Sequence, residues 1–189
     1  MENVGNLGVN LQAAARYIEL LSGCKNGFEQ PEQFQTFTDS KNVDKTNWKK
    51  DSRGQPLDPY ARVYYDTLQE LAPEFIRLNK LGVGIFMTVN ECKGTKRGNA
   101  FVTRVRALFL DGDEDKFTGE LRLEPSFTVR RGKNFHHYWL VKDFPLNEFK
   151  AQQLAIAKAH NTDHIIDLAR VMRVPGFYHQ KNAPELVTL

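Results

Sequence analysis

Val105-Arg106-Ala107-Leu108-Phe109-Leu110-Asp111-Gly112-Asp113 joins an apolar run of strand length to two acids separated by one glycine. Side chains on a strand alternate between faces. Asp111 and Asp113 therefore share a side, roughly 7 Å apart at Cα, with Val105, Ala107 and Phe109, while Leu108 and Leu110 take the other. Apolar residues on both faces predict a strand central in its sheet. Two carboxylates at the end of such a strand repel each other, and a cation between them relieves the repulsion. An all-oxygen ligand set suits magnesium or manganese. The plainer alternative is a strand that runs out into an acidic loop, since Glu114 and Asp115 follow directly. On this stretch alone the two readings stand level.

Outward from that strand, the bulk properties describe one domain of ordinary composition. The chain has 189 residues, 41% hydrophobic and 26% charged, with a formal net charge of +3. That size allows a real core, and the mildly basic balance permits nucleic acid as a partner without requiring it. The two cysteines, Cys24 and Cys92, have no Cys or His at zinc spacing. Zinc is not expected, and free thiols in a reducing cytoplasm are. With no signal peptide and no long apolar run, membrane insertion is not expected.

Towards the N-terminus, residues 1–8 read as a loose end. Asn10 is placed to cap a helix over 11–22, with Leu11, Ala14, Ala15, Ile18 and Leu21 on one face and Gly23 as the stop. Phe34 to Thr38 has strand composition. Residues 39–57 read as a long polar connector rather than a flap over a site. Asp58-Pro59 predicts a helix start, Pro73 a break or kink in that helix, and Gly82 its end. Gly84 to Val89 predicts a buried strand closed by Asn90-Glu91, and Lys93 to Asn99 a basic loop.

Towards the C-terminus, 126–130 and 135–141 predict paired strands around a turn at 131–134. An amphipathic helix is expected over 146–160. His136 and His137 are adjacent, so their rings lie on opposite faces and cannot share one metal from one strand. Taken singly, each is more readily a structural histidine, and Arg130, Arg131 and Lys133 beside them a solvated hairpin tip. The segment Asp167 to Lys181 carries more information. Asp167 and Arg170 meet on one helical turn, Arg173 follows, and Pro175-Gly176 stops any regular helix at once. The fold class is α/β or α+β, with a largely antiparallel or mixed sheet.

Together these pieces match what nucleotidyl transfer needs: three carboxylates for two divalent ions, with arginines and a histidine for a triphosphate. The constellation resembles the archaeo-eukaryotic primase superfamily, and within it the primase-polymerase domains of plasmid and phage replication proteins, the RepB-type primase group. Leu110-Asp111-Gly112-Asp113 is similar to the family's first motif, hydrophobic-acid-hydrophobic-acid, with glycine at the middle hydrophobic position. Asn134-Phe135-His136-His137-Tyr138-Trp139 resembles the second, small-x-His, with asparagine at the small position. Asp167-Leu168-Ala169-Arg170-Val171-Met172-Arg173-Val174-Pro175-Gly176, followed by Lys181, resembles the third.

The resemblance runs from about residue 30 to 182. It implies a core of about 31–182, preceded by a helical segment over 1–30, in which an N-terminal α/β module and a C-terminal RRM-like module with a mixed sheet flank a cleft. It implies Asp111, Asp113 and Asp167 as holders of two Mg2+ or Mn2+ ions. His136, Arg170, Arg173 and Lys181 would contact the NTP or dNTP, and Arg97, Arg131 and Lys133 the template or its phosphates. The implied activity is DNA primase or polymerase on a single-stranded DNA template in plasmid or phage replication. The implied setting is the N-terminal part of a longer replication protein with a fused or separate helicase. A two-metal nuclease and a non-catalytic DNA-binding replication module are the alternatives. A rolling-circle nicking enzyme fits less well, because it needs two histidines on one strand face.

Overall fold

A computed structural model describes residues 8–189; the loose end expected over 1–8 falls, apart from Gly8, outside the described residues. The elements in chain order are α1 (Leu11–Ser22), β1 (Glu32–Thr38), β2 (Arg62–Asp66), α2 (Leu68–Lys80), β3 (Val83–Thr88), β4 (Glu91–Cys92), β5 (Val102–Arg104), β6 (Ala107–Asp113), β7 (Phe127–Arg131), β8 (Asn134–Leu140), α3 (Phe149–His160), β9 (Val171–Arg173), β10 (Tyr178–His179) and β11 (Glu185–Leu186). The class is α+β.

The first helix forms as its sequence predicts. The Asn10 side chain accepts from the Ala13 backbone N–H, and Gly23 closes the helix in the left-handed conformation at φ 75°. The helix expected from Asp58 does not form there. Residues 62–66 pair antiparallel with β1, and α2 starts at Leu68 behind a Thr67 cap. The Asp58 carboxylate is committed elsewhere, accepting from the backbone N–H and hydroxyl of Thr38 and from the backbone N–H of Tyr60. Pro73 lies inside α2 without ending it.

A four-stranded sheet has the order β2-β1-β3-β9 and a three-stranded sheet the order β6-β8-β7. Every strand pair among the described residues is antiparallel, so the mixed sheet is not formed. The reason is topological: α2 carries the chain from β2 to β3 across β1, which lies between them and separates the two parallel-running strands.

The strand carrying Asp111 and Asp113 is likewise not central; β6 is the edge of its sheet and β8 the middle. Its apolar faces are nevertheless buried, because α3 covers the open edge. The Gln153 side chain donates to the carbonyls of Phe109 and Ile165 and accepts from the Phe109 N–H, so the unpaired ladder position of Phe109 is satisfied inside the protein.

One continuous core links the two sheets, with Tyr17, Phe34, Phe75, Phe109, Tyr138 and Phe177 almost fully buried. The Tyr17 and Tyr138 hydroxyls meet at 3.2 Å within it. The buried pair Arg106–Glu32, at 2.9 Å, ties the start of β1 to the residue before β6. The N-terminus of α1 presses on the turn after β9. The Asn10 N–H donates to the Gly176 carbonyl at 2.8 Å, and a Cβ on Gly176 would fall 2.0 Å from the Asn10 carbonyl oxygen. Gly176 is therefore required by this backbone contact and by its φ of 89°.

Candidate active site

The hairpin register aligns the residues of the first two motifs. Asp111 is the direct partner of His136 and Asp113 of Asn134 across β6 and β8; on β7, Val129 and Arg131 continue the same two rows. Asp111, Asp113, Asn134, His136 and Arg131 thus share one face. His137 lies on the other, its Nδ1 within 2.7 Å of the Thr128 hydroxyl and its ring against Phe135. Gly112 also belongs to that second face. A Cβ there would come within 2.5 Å of the Phe135 ring, so Phe135 fills the space that a hydrophobic residue would take in the first motif.

Two adjoining hollows open over this face. One, of about 140 Å³, is lined by Asp111, Asn134, His136 and Arg131 together with Arg173 and His179. The other, of about 170 Å³, is lined by Asp111, Asp113 and Asn134 together with Lys116, Thr162 and Asp163. Asp111 and Asn134 form the wall between a cationic and an acidic compartment.

Electrostatics within the site follow from burial. The Asp111 carboxyl is pushed up to about 6, first by burial and then by the negative charge of Asp163, while Arg170, Arg173 and Arg131 hold it down. His136 is lowered to about 3, first by burial and then by Arg173 and Arg131, so the imidazole is neutral at physiological pH. Its Nε2 lies 3.5 Å from Asp111 Oδ1, and its buried Nδ1 has no hydrogen-bond partner. His179 is lowered to about 4, again chiefly by burial.

The third motif does not continue as a helix. Asp167 and Arg170 face each other across a tight turn at 3.1 Å, and the next residues form β9, which pairs with β3. That turn is held from below: Asn90 donates to the Leu168 carbonyl, Asn99 accepts from the Ala169 N–H, and Arg97 donates to the Ala169 carbonyl. Arg173 lines the cationic hollow, whereas Asp167, Arg170, Arg97 and Lys181 line neither. Lys181 is exposed. Lys133 binds Asp115 at the hairpin tip, and Arg131 is shared between Glu185 and His179.

Asp39, Asp163 and His179 were not singled out by sequence reasoning. Asp39 follows a strand of mixed polarity, Phe34-Gln35-Thr36-Phe37-Thr38, so it lacks the apolar run that marks Asp111, and it opens a segment read as a connector. His179 lies two residues before Lys181, within the third motif's tail.

No family model, curated relative or solved structure matches the chain.

Among the described residues, no three His, Cys, Asp or Glu side chains converge as they stand to enclose an ion. The donor chemistry nevertheless suits a hard divalent cation. Asp111, Asp113 and Asp163 line one hollow, and the Asp111 carboxyl there is raised first by burial and then by the Asp163 charge, both of which a bound cation would offset.

Proposed function

We propose that the chain is a primase-polymerase domain, transferring nucleotides from NTP or dNTP on a single-stranded DNA template, as its resemblance to the archaeo-eukaryotic primase superfamily implies. The observation that carries this reading is the pairing of compartments: Asp111 and His136, register partners on one sheet, face Arg173 and His179 across a single hollow. A carboxylate wall beside a cationic wall suits a metal-bound triphosphate. The four-stranded sheet with α2, and the three-stranded sheet with α3, correspond in this reading to the family's α/β and RRM-like modules, with α1 laid by Tyr17 against Phe127 and Tyr138 of the second.

Asp111 and Asp113 would hold Mg2+ or Mn2+, with the third carboxylate supplied by the 163–167 segment. Asp167 is the acid that the resemblance names, and Asp163 the one that shares the hollow. Bound there, the ions would activate the primer 3′-hydroxyl and neutralise the leaving pyrophosphate. Arg173 orients the phosphates with its fixed guanidinium, and Arg170 adds positive charge close to Asp111. His136, neutral and largely buried, would donate one N–H to a phosphate oxygen without adding charge.

The test is strand synthesis on single-stranded DNA with labelled nucleotides and magnesium or manganese, with and without primer, beside Asp111→Ala/Asp113→Ala. New strands from the unaltered chain alone are the expected result, and the unprimed lane separates priming from extension. Loss of template DNA in the absence of nucleotides would replace this reading with a two-metal nuclease. DNA binding without either activity, unchanged in the double variant, would leave a non-catalytic replication module.

A further inference from the structure

Arg173 is held on three sides. Its Nη1 and Nη2 donate to Asp39 Oδ2 and Oδ1 at 2.6 and 2.8 Å, a two-point bond between the residue after β1 and the end of β9. Its guanidinium lies over the Phe86 ring at 4.5 Å. Room for the pair comes from Gly84 on β3, where a Cβ would fall 2.9 Å from Arg173 Nη1 and 3.0 Å from Asp39 Oδ2. The same Asp39 oxygen accepts the backbone N–H of Gln180 at 3.2 Å, directly after the pocket residue His179. Both Asp39 and Arg173 are largely shielded, with side chains 10% and 19% exposed. Asp39 itself lines neither hollow.

We propose that Asp39 is a positioning residue of the nucleotide pocket: it fixes the Arg173 guanidinium by a two-point bond and, through the Gln180 backbone, the strand that carries His179. This rests on the reading of Arg173 as a triphosphate contact. The two-point bond leaves Nε–H and one hydrogen on each terminal nitrogen for the pocket, in a plane set by Asp39 and Phe86. Charge and position act in opposite directions here. Removing the Asp39 charge makes the pocket more positive and by itself favours a polyanion. Releasing Arg173 from its fork disfavours binding, because the side-chain entropy must then be lost on binding.

The experiment is calorimetric titration of dATP with magnesium into the purified chain and into Asp39→Asn, Arg173→Lys and the double variant, each checked for cooperative melting. Arg173→Lys keeps the charge and loses the fork, and weakens dATP by about tenfold. Asp39→Asn keeps one oxygen to accept the Gln180 N–H and loses only the two-point bond, so it weakens dATP by about tenfold in the unaltered background and by less than about twofold beside Arg173→Lys. Should Asp39→Asn fail to fold, Asp39→Glu keeps the charge, displaces the guanidinium, and weakens dATP by about threefold with the same dependence on Arg173. Unchanged or tighter binding in the Asp39 variants, with Arg173→Lys still weakened, overturns the positioning role and leaves Arg173 as a triphosphate contact. Equal losses in both backgrounds also overturn it, as a general structural effect. No loss on Arg173→Lys overturns both readings.

Discussion

The side chain of Gln153 closes both backbone hydrogen bonds of Phe109, accepting from its N–H at 3.0 Å and donating to its carbonyl at 2.9 Å. Phe109 lies two residues before Asp111 on the edge strand, so this glutamine fixes the backbone that aims the acid. Gln153→Leu leaves buried backbone groups without partners, each costing about 1–3 kcal/mol. A loss of about 2–4 kcal/mol in urea unfolding is expected, larger than for an ordinary surface change in α3.

Gly112 and Phe135 form a second dependent pair. A methyl group at 112 meets the Phe135 ring, so Gly112→Ala costs about 1–3 kcal/mol through overpacking. Adding Phe135→Leu restores most of that loss. Thermal melting of the two single variants and the double variant checks the coupling, and simple additivity would contradict it.

The folded Asp111 carboxyl titrates at about 6, above its unfolded value near 4. The folded state therefore favours the protonated form. Stability from this source is fully present below about pH 4 and is lost as the pH rises through about 6. In the absence of divalent ions, Asp111→Asn is expected to melt above the unaltered chain at pH 7.5, with the gap closed by pH 4. Magnesium or manganese raises the melting temperature of the unaltered chain at pH 7.5 and leaves the variant unmoved.

Asp163 is the charge that most raises Asp111 after burial itself. With magnesium below saturation, protons and the metal compete for Asp111, and kcat/KM rises with pH through an acid limb near 6. Asp163→Asn removes the neighbouring negative charge and moves that limb towards the ordinary carboxyl range near 4. His136→Gln lowers the rate by about 100-fold and leaves the limb in place, because an imidazole lowered to about 3 does not titrate there.

The hairpin face was legible because strand alternation is a local rule. Asp111 with Asp113, His136 opposite to His137, the Asn10 cap and the Gly23 stop all follow from neighbours in sequence. What failed was non-local. The apolar residues on both faces of β6 suggested a central strand, but a helix edge supplied by Gln153 buries them equally well. Asp58-Pro59 carried helix-start chemistry that Thr38 and Tyr60 claimed for a loop. Asp167 and Arg170 were expected together and are, at 3.1 Å, but β3 draws the following residues into a strand. Asp39 and His179 could not be found from local pattern, since each gains its place only through partners far away in the chain.

Asp39 and Arg173 are 134 residues apart. The acids and the hairpin that present them can be assembled from chain made earlier, whereas the cationic wall waits for β9 to dock on β3. That docking pairs Phe86 of β3 with Arg173, 87 residues further on, a slow step when contacts lie so far apart in sequence. Arg173 is therefore delivered beside Asp111 by a pairing that no local folding can supply, and a nascent chain that has not yet reached β9 carries the acids of the hairpin without it.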